Sequence, residues 1–194
     1  LQVSVFNGIE TIVRNAATAT SRGIEIDGTV LFDFGLMAIG SLALLDATYD
    51  EYPEGPCHSS LENSAGQGED GNCDLSGERL NQAPEWNMTA AVVADIPLFN
   101  LPVNLLVGAN IYYQTEMFLT PDLDIDDSQE AYTLVGARIG VKDTDGLWAF
   151  TVIGRNLTDE VIKQESFDVP LFTGSHFAAV AAPRTIVGEF KVNF

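Results

Sequence analysis

The sequence predicts an all-β fold, an antiparallel transmembrane β-barrel segment. Apolar residues recur at every second position over most of the chain, which is the period of a strand whose two faces meet different surroundings. Long and short connections alternate between the predicted strands, so the long ones collect at one end of an antiparallel sheet. Acidic residues are concentrated in those long connections. This asymmetry is typical of a membrane barrel with short turns on one side and long loops on the other.

About eight strands account for the alternation, and no helix is needed. In the stretch NLLVGANIYYQ, for example, Leu105, Val107 and Ile111 alternate with more polar residues. The predicted strands are 2–12, 21–32, 36–48, 85–96, 103–117, 131–142, 147–155 and 184–194. Because Leu1 already lies within an alternating pattern, we expect this chain to be a fragment of a longer one.

The connections alternate in length from the second strand onwards. The short ones are 33–35, 97–102 and 143–146, and the long ones are 49–84, 118–130 and 156–183. In an antiparallel meander every second connection lies at the same end of the sheet. We therefore expect the long loops to be extracellular and the short turns periplasmic.

The composition excludes one class of partner. The formal net charge is −19, with only nine Lys and Arg in 194 residues, whereas nucleic-acid binding needs a basic face. With 46% hydrophobic residues the chain is also not expected to be disordered.

Cys57 and Cys73 are the only cysteines, and they bracket a loop rich in Ser, Gly, Asn and acidic residues. Two cysteines that close such a loop favour a disulfide and an oxidising compartment, with about 3 kcal/mol of stabilisation in the chain-entropy model. Two unpaired thiols are the alternative.

Four segments, in order along the chain, resemble the TonB-dependent receptors of Gram-negative outer membranes. They are NAATATSRGIEIDG (15–28), LSGERLNQAPEW (75–86), YTLVGARIGVKDTDGLWAFTVIGRNLTDE (132–160) and the terminal PRTIVGEFKVNF (183–194). The resemblance covers essentially the whole chain, 1–194, and places it in the last third of the family's barrel.

This resemblance implies the function and the partners. It implies a 22-stranded barrel of which this chain supplies the C-terminal strands, closed around a plug domain that this chain lacks. The implied activity is import of a scarce solute, most commonly a ferric siderophore, energised by TonB and its inner-membrane complex; haem, cobalamin and oligosaccharides stay open. It further implies contact with outer-membrane lipid and lipopolysaccharide, and an assembly signal, read by the barrel assembly machinery, at Phe194 with Phe190.

Polar residues on the alternating strands are the candidates for the lumen, where they hold the plug or line the substrate path. These candidates are Asn104, Asn110, Tyr112, Gln114, Arg138, Arg155, Glu189 and Lys191. We predict no catalytic site, no cofactor and no resident metal. The segment that offers calcium ligands is PDLDIDDSQE, through Asp122, Asp124, Asp126 and Asp127, but it lacks the glycine of an EF-hand loop.

Two other classes of protein share part of this pattern. A stand-alone eight-stranded barrel with a structural or adhesive role would fold without further strands. A soluble β-sandwich binding module would have loops of mixed length at both ends.

Overall fold

The structure, a computed structural model, describes residues 2–6, 11–15, 18–33, 35–58, 72–169, 171–172 and 174–193. Within these residues the secondary structure consists of strands only, and no helix is long and apolar enough to cross a membrane. The strands are β1 Gln2–Phe6, β2 Thr11–Asn15, β3 Thr18–Leu31, β4 Leu36–Glu51, β5 Trp86–Pro97, β6 Val103–Gln114, β7 Met117–Phe118, β8 Ser128–Gln129, β9 Tyr132–Asp143, β10 Trp148–Arg155, β11 Lys163–Asp168, β12 His176–Val180 and β13 Thr185–Val192.

Seven of these strands form one antiparallel sheet in the order β13-β10-β9-β6-β5-β4-β3. Each strand pairs with its neighbour among these seven, so the sheet is a simple meander. The β3–β4, β5–β6 and β9–β10 connections are short, and the β4–β5, β6–β9 and β10–β13 connections are long. The predicted separation of short turns and long loops to opposite ends is confirmed.

Glycines with positive φ make two of the short turns possible. Gly35 has φ 78° in the β3–β4 turn, and Gly146 has φ 72° in the β9–β10 turn, a region that is costly for residues with a Cβ. The N–H of Gly146 donates to the carbonyl of Asp143 at 3.0 Å, which closes that turn.

The prediction of one strand over 2–12 is wrong in its extent. The described residues there belong to β1 and to β2, which pair with each other from Gln2↔Asn15 to Phe6↔Thr11 and form a separate two-stranded sheet. The long loops also contain two short strand pairs that were not predicted, β7–β8 and β11–β12. Alternation alone does not distinguish a continuous strand from a hairpin, because both arms carry the same period.

The hydrophobic core among the described residues is a small cluster at the end of β4 and in the described parts of the β4–β5 connection, and it does not lie between two layers. Tyr49, Tyr52, Cys73 and Leu75 are buried there as one cluster. A disulfide joins Cys57 to Cys73, with an S–S distance of 2.00 Å, and Cys57 packs against this cluster. The sheet itself is a single layer whose large apolar side chains remain exposed.

The segment after β10 ties the end of that strand to the start of β13. Asn156 has φ 49°, its amide donates to the carbonyl of Glu160 at 2.9 Å, and its Oδ1 accepts the N–H of Glu160 at 3.0 Å. Asp159 then accepts the backbone N–H of Arg184 at 3.0 Å and pairs with its guanidinium at 3.2 Å. Two of the segments that carry the family resemblance therefore meet in space.

Candidate functional site

The register of the sheet separates its side chains into a polar face and an apolar face. Residues directly opposite each other on paired strands point to the same side, and successive residues point to opposite sides. The pairs Asn87↔Gln114 and Gln114↔Tyr132 therefore share a face, as do Asn104↔Lys142. By this rule all eight predicted lumen candidates lie on one face: Asn104, Asn110, Tyr112, Gln114, Arg138, Arg155, Glu189 and Lys191.

Hydrogen bonds connect the polar face near the long-loop end. Asn87 donates its amide to the hydroxyl of Tyr112 at 3.0 Å, and that hydroxyl donates to Oε1 of Gln114 at 2.7 Å. The hydroxyl of Tyr132 lies 3.4 Å from the same oxygen. Gln114 is buried in this network, so its position is determined by neighbours on both adjacent strands.

A charged group lies at the short-turn end of the same face. Asp95 accepts a hydrogen bond from the amide of Asn104 at 2.7 Å and forms an ion pair with Lys142. Asn87, Asp95, Tyr132 and Lys142 were not among the predicted candidates. The period-two pattern places each of them on the polar face, and it could have found them if the register had been known.

Glycines on this face leave room for longer polar side chains. A Cβ at Gly136 would lie 2.4 Å from Oδ1 of Asn110, and one at Gly108 would lie 3.0 Å from Nε of Arg138. Both distances are shorter than ordinary van der Waals contact. Asn110 and Arg138 can therefore lie flat across the neighbouring strand.

The opposite face is apolar and exposed. Its members include Ile24, Ile26, Trp86, Val92, Ile111, Ile139, Phe150, Ile186 and Phe190, each at least 37% exposed. Strand β6 has 12 residues, which at about 3.4 Å per residue and a tilt of about 40° span about 30 Å along a barrel axis, enough for an apolar band of about 25 Å. Trp86 begins β5 and Trp148 begins β10, and both lie on this face. Because β5 and β10 run in opposite directions, the two rings lie near opposite ends of the sheet, as aromatic residues do at the two membrane interfaces.

Of the two predicted assembly-signal residues, one can be placed. Phe190 lies on the apolar face opposite Phe150 and is 65% exposed. Phe194 lies outside the described residues.

A cluster of carboxylates with one histidine, here called the loop cluster, joins two of the long loops. Its members are Asp122, Asp124, Asp127, Asp168 and His176. The first three lie between β7 and β8, Asp168 ends β11 and His176 begins β12. Nδ1 of His176 lies 3.2 Å from Oδ1 of Asp127 and 3.3 Å from Oδ1 of Asp168.

The loop cluster is unusually buried for a group of charges. Asp124 is 1% exposed and Asp127 is 0% exposed. Burial raises the pKa of Asp122, and burial together with the charge of Asp122 raises the pKa of Asp168. For His176, burial acts to lower the pKa, but Asp127 and then Asp168 outweigh it, so the pKa is raised.

The four predicted metal-ligand candidates separate in the structure. Asp122, Asp124 and Asp127 belong to the loop cluster, whereas the side chain of Asp126 is 71% exposed and reaches His176 only at 3.8 Å. Asp168 and His176 were not predicted. Oxygen or nitrogen atoms of Asp124, Asp168 and His176 all lie within 4.8 Å of one another, so these three form a group of described residues close enough together to bind one metal ion.

Comparison with known proteins identifies the family. The sequence model described as "TonB dependent receptor-like, beta-barrel" matches residues 1–157. The chain belongs to this family. As a family, TonB-dependent receptors are outer-membrane β-barrel transporters and not enzymes, and the antiparallel sheet of this chain confirms the predicted fold class. No curated protein matches the sequence.

Solved structures of other receptors resemble this fold. The ferric yersiniabactin uptake receptor FyuA of Yersinia pestis has a TM-score of 0.73 and 16% identity, over 94% of this chain and 25% of that one. The siderophore receptor PiuA of Acinetobacter baumannii has a TM-score of 0.65 and 16% identity, over 96% of this chain and 23% of the PiuA chain. The ferric preacinetobactin receptor BauA of the same species has a TM-score of 0.58 and 17% identity, over 97% of this chain and 25% of the BauA chain. The receptor chain described here thus spans about a quarter of the length of each.

Proposed function

We propose that this chain is the C-terminal part of the barrel of an outer-membrane receptor that imports a ferric siderophore into a Gram-negative bacterium. The observation that supports this proposal most directly is the family match over residues 1–157. The likeness in fold to three receptors for siderophores supports the choice of cargo, although the identity to each is only 16–17%. Import would be energised by TonB and its inner-membrane complex through a plug domain.

The two faces of the sheet support this arrangement. In hydrocarbon every backbone polar group must be paired within the protein, and an apolar outer face is the stable surface. The face of Ile111 and Phe190 would therefore meet lipid. The face of Asn104, Arg138 and Lys191 would line the lumen, where it would bind the plug or the passing solute.

The long loops would lie at the extracellular surface. They carry most of the acidic residues, whose carboxylates would bridge divalent cations to anionic lipopolysaccharide. During insertion into the membrane, Phe190 with Phe194 would be recognised by the barrel assembly machinery.

The test is growth and uptake in the organism that carries the gene. A strain with the gene deleted is grown on single ferric siderophores as the only iron source, and uptake of radioactive iron from each is measured. We expect loss of uptake from one siderophore, recovery with the wild-type gene, and the same loss in a strain that lacks TonB.

Loss of only haem, cobalamin or oligosaccharide uptake would overturn the siderophore assignment and leave TonB-dependent import standing. Uptake that continues in the strain without TonB would overturn the transport mechanism itself.

A further inference from the structure

We propose that Asp124, Asp168 and His176 bind a Zn²⁺-like first-row divalent cation that joins the β6–β9 loop to the β10–β13 loop. This site is separate from the polar face, and the inference does not depend on which solute the receptor imports.

Direct hydrogen bonds already connect the two loops. Lys163 donates its ammonium group to the carbonyl of Asp126 at 2.9 Å, and its backbone N–H donates to the side chain of Gln129. The hydroxyl of Ser166 donates to Oδ1 of Asp127. These bonds position β11 against β8 and bring the carboxylates of one loop to the histidine of the other.

Several buried oxygen atoms in this cluster accept no hydrogen bond from the described residues. Oδ1 of Asp124 accepts the N–H of Asp126 at 2.9 Å, but its Oδ2 is buried with no hydrogen bond. The same holds for Oδ2 of Asp127 and Oδ1 of Asp168. An unpaired buried carboxylate oxygen is costly, so these atoms point to a ligand that the protein itself does not supply.

The negative charges of the loop cluster also favour a bound cation. Asp122, Asp124, Asp127 and Asp168 lie together, and within the part of the chain that the structure describes no Lys or Arg forms an ion pair with any of them. A protonated His176 would compensate only one negative charge. A divalent cation would compensate two and would leave the imidazole neutral, as a metal ligand must be.

One distance in this group matches the ligand spacing around a small ion, and the third ligand lies slightly farther out. Ligand atoms that bind zinc at about 2.0–2.2 Å stand about 3.0–3.5 Å from one another. Nδ1 of His176 lies 3.3 Å from Oδ1 of Asp168, and atoms of Asp124 complete a group within 4.8 Å. Nδ1 and Asp127 are 3.2 Å apart but lack the geometry of a hydrogen bond, so this nitrogen is available to a metal.

The donor set selects the metal. Calcium takes six to eight oxygen ligands, whereas a site of imidazole with carboxylates suits zinc and related ions. The structure thus changes the candidate set from four aspartates in one segment to two aspartates and a histidine from two loops.

The test uses the full receptor, purified in detergent without a polyhistidine tag. Its metal content is measured by mass spectrometry, and Zn²⁺ is then titrated calorimetrically into receptor stripped with a chelator. We expect wild type to bind Zn²⁺ stoichiometrically, and Asp124→Asn or His176→Gln to lose one equivalent or weaken its affinity at least about tenfold. Glu130→Gln, which removes an exposed carboxylate from the same loop, is the matched control and should bind as wild type does.

A second measurement needs no variant. Limited proteolysis of wild-type receptor should cut the β6–β9 and β10–β13 loops faster after chelation, and added Zn²⁺ should restore protection. Equal cleavage with and without Zn²⁺, Zn²⁺ binding that both ligand variants retain in full, or binding of Ca²⁺ alone would each overturn the proposal.

Discussion

Asn156 illustrates how one residue can connect two distant segments of the receptor. Its positive φ turns the chain directly after β10, and both of its side-chain groups bond to Glu160. This turn places Asp159 beside Arg184 at the start of β13. The asparagine combines a side chain that can bond its own turn with a tolerance of the left-handed region.

Two substitutions at Asn156 separate these contributions. Asn156→Ala loses the hydrogen bonds and adds left-handed strain, so we expect it to lower the free energy of unfolding by about 1–3 kcal/mol. Asn156→Gly loses the same hydrogen bonds without the Cβ strain and should cost about 1 kcal/mol less. Urea unfolding of the full receptor in phospholipid vesicles measures both values. Equal losses for the two variants would show that the backbone angle is unimportant.

At the scale of single strands, period-two alternation predicted most of the sheet because each strand has two different faces. The strand β6 was predicted as 103–117 and ends earlier, at Gln114, although Thr115 still bonds to Trp86 of the neighbouring strand β5. Loop geometry could not be predicted in this way. The contact between Ser166 and Asp127 spans 39 residues and depends on two loops folding against each other.

The same limit explains which site residues were missed. Asp124 and Asp127 stood out within one acidic segment, but nothing near His176 in the sequence marks it as their neighbour. The polar-face residues were easier, because alternation within one strand gives the face of each residue, whereas only the register shows which residues meet across strands. Asp95 on β5 and Lys142 on β9 form their ion pair across the intervening strand β6, where Asn104 bonds to Asp95 and lies opposite Lys142. The sequence does not show that these strands lie two apart.

The assignment of faces within a strand is tested by two adjacent positions of β6. Ile111 lies on the apolar face and Asn110 on the polar face, at nearly the same depth. Ile111→Arg should lower the free energy of unfolding in vesicles by about 2–4 kcal/mol, because arginine near the middle of the bilayer is costly. Asn110→Arg is the control and should cost clearly less. If the two costs are reversed, Asn110 faces lipid and the lumen lies on the other side.

At the scale of the whole molecule, the seven-stranded sheet is open at both sides. Within the described residues β3 pairs only with β4, and β13 pairs only with β10. Each edge therefore presents a row of unpaired N–H and C=O groups, which lipid does not tolerate and which water leaves prone to aggregation. The chain covers about a quarter of the length of the solved receptors it resembles, so further strands of such a barrel would be the natural partners of both edges.

This openness predicts how the 194-residue chain behaves when expressed alone. Each unpaired backbone group costs several kcal/mol in hydrocarbon, so two edges together outweigh the stability of an ordinary domain. We expect the isolated chain to aggregate and to show no heat-modifiable band on a gel, whereas the full receptor does. The measurement is semi-native electrophoresis of both proteins after refolding in the same detergent. A monomeric, heat-modifiable band from the isolated chain would mean that its own strands close into a small barrel, and the sheet would then not need strands from the rest of a receptor.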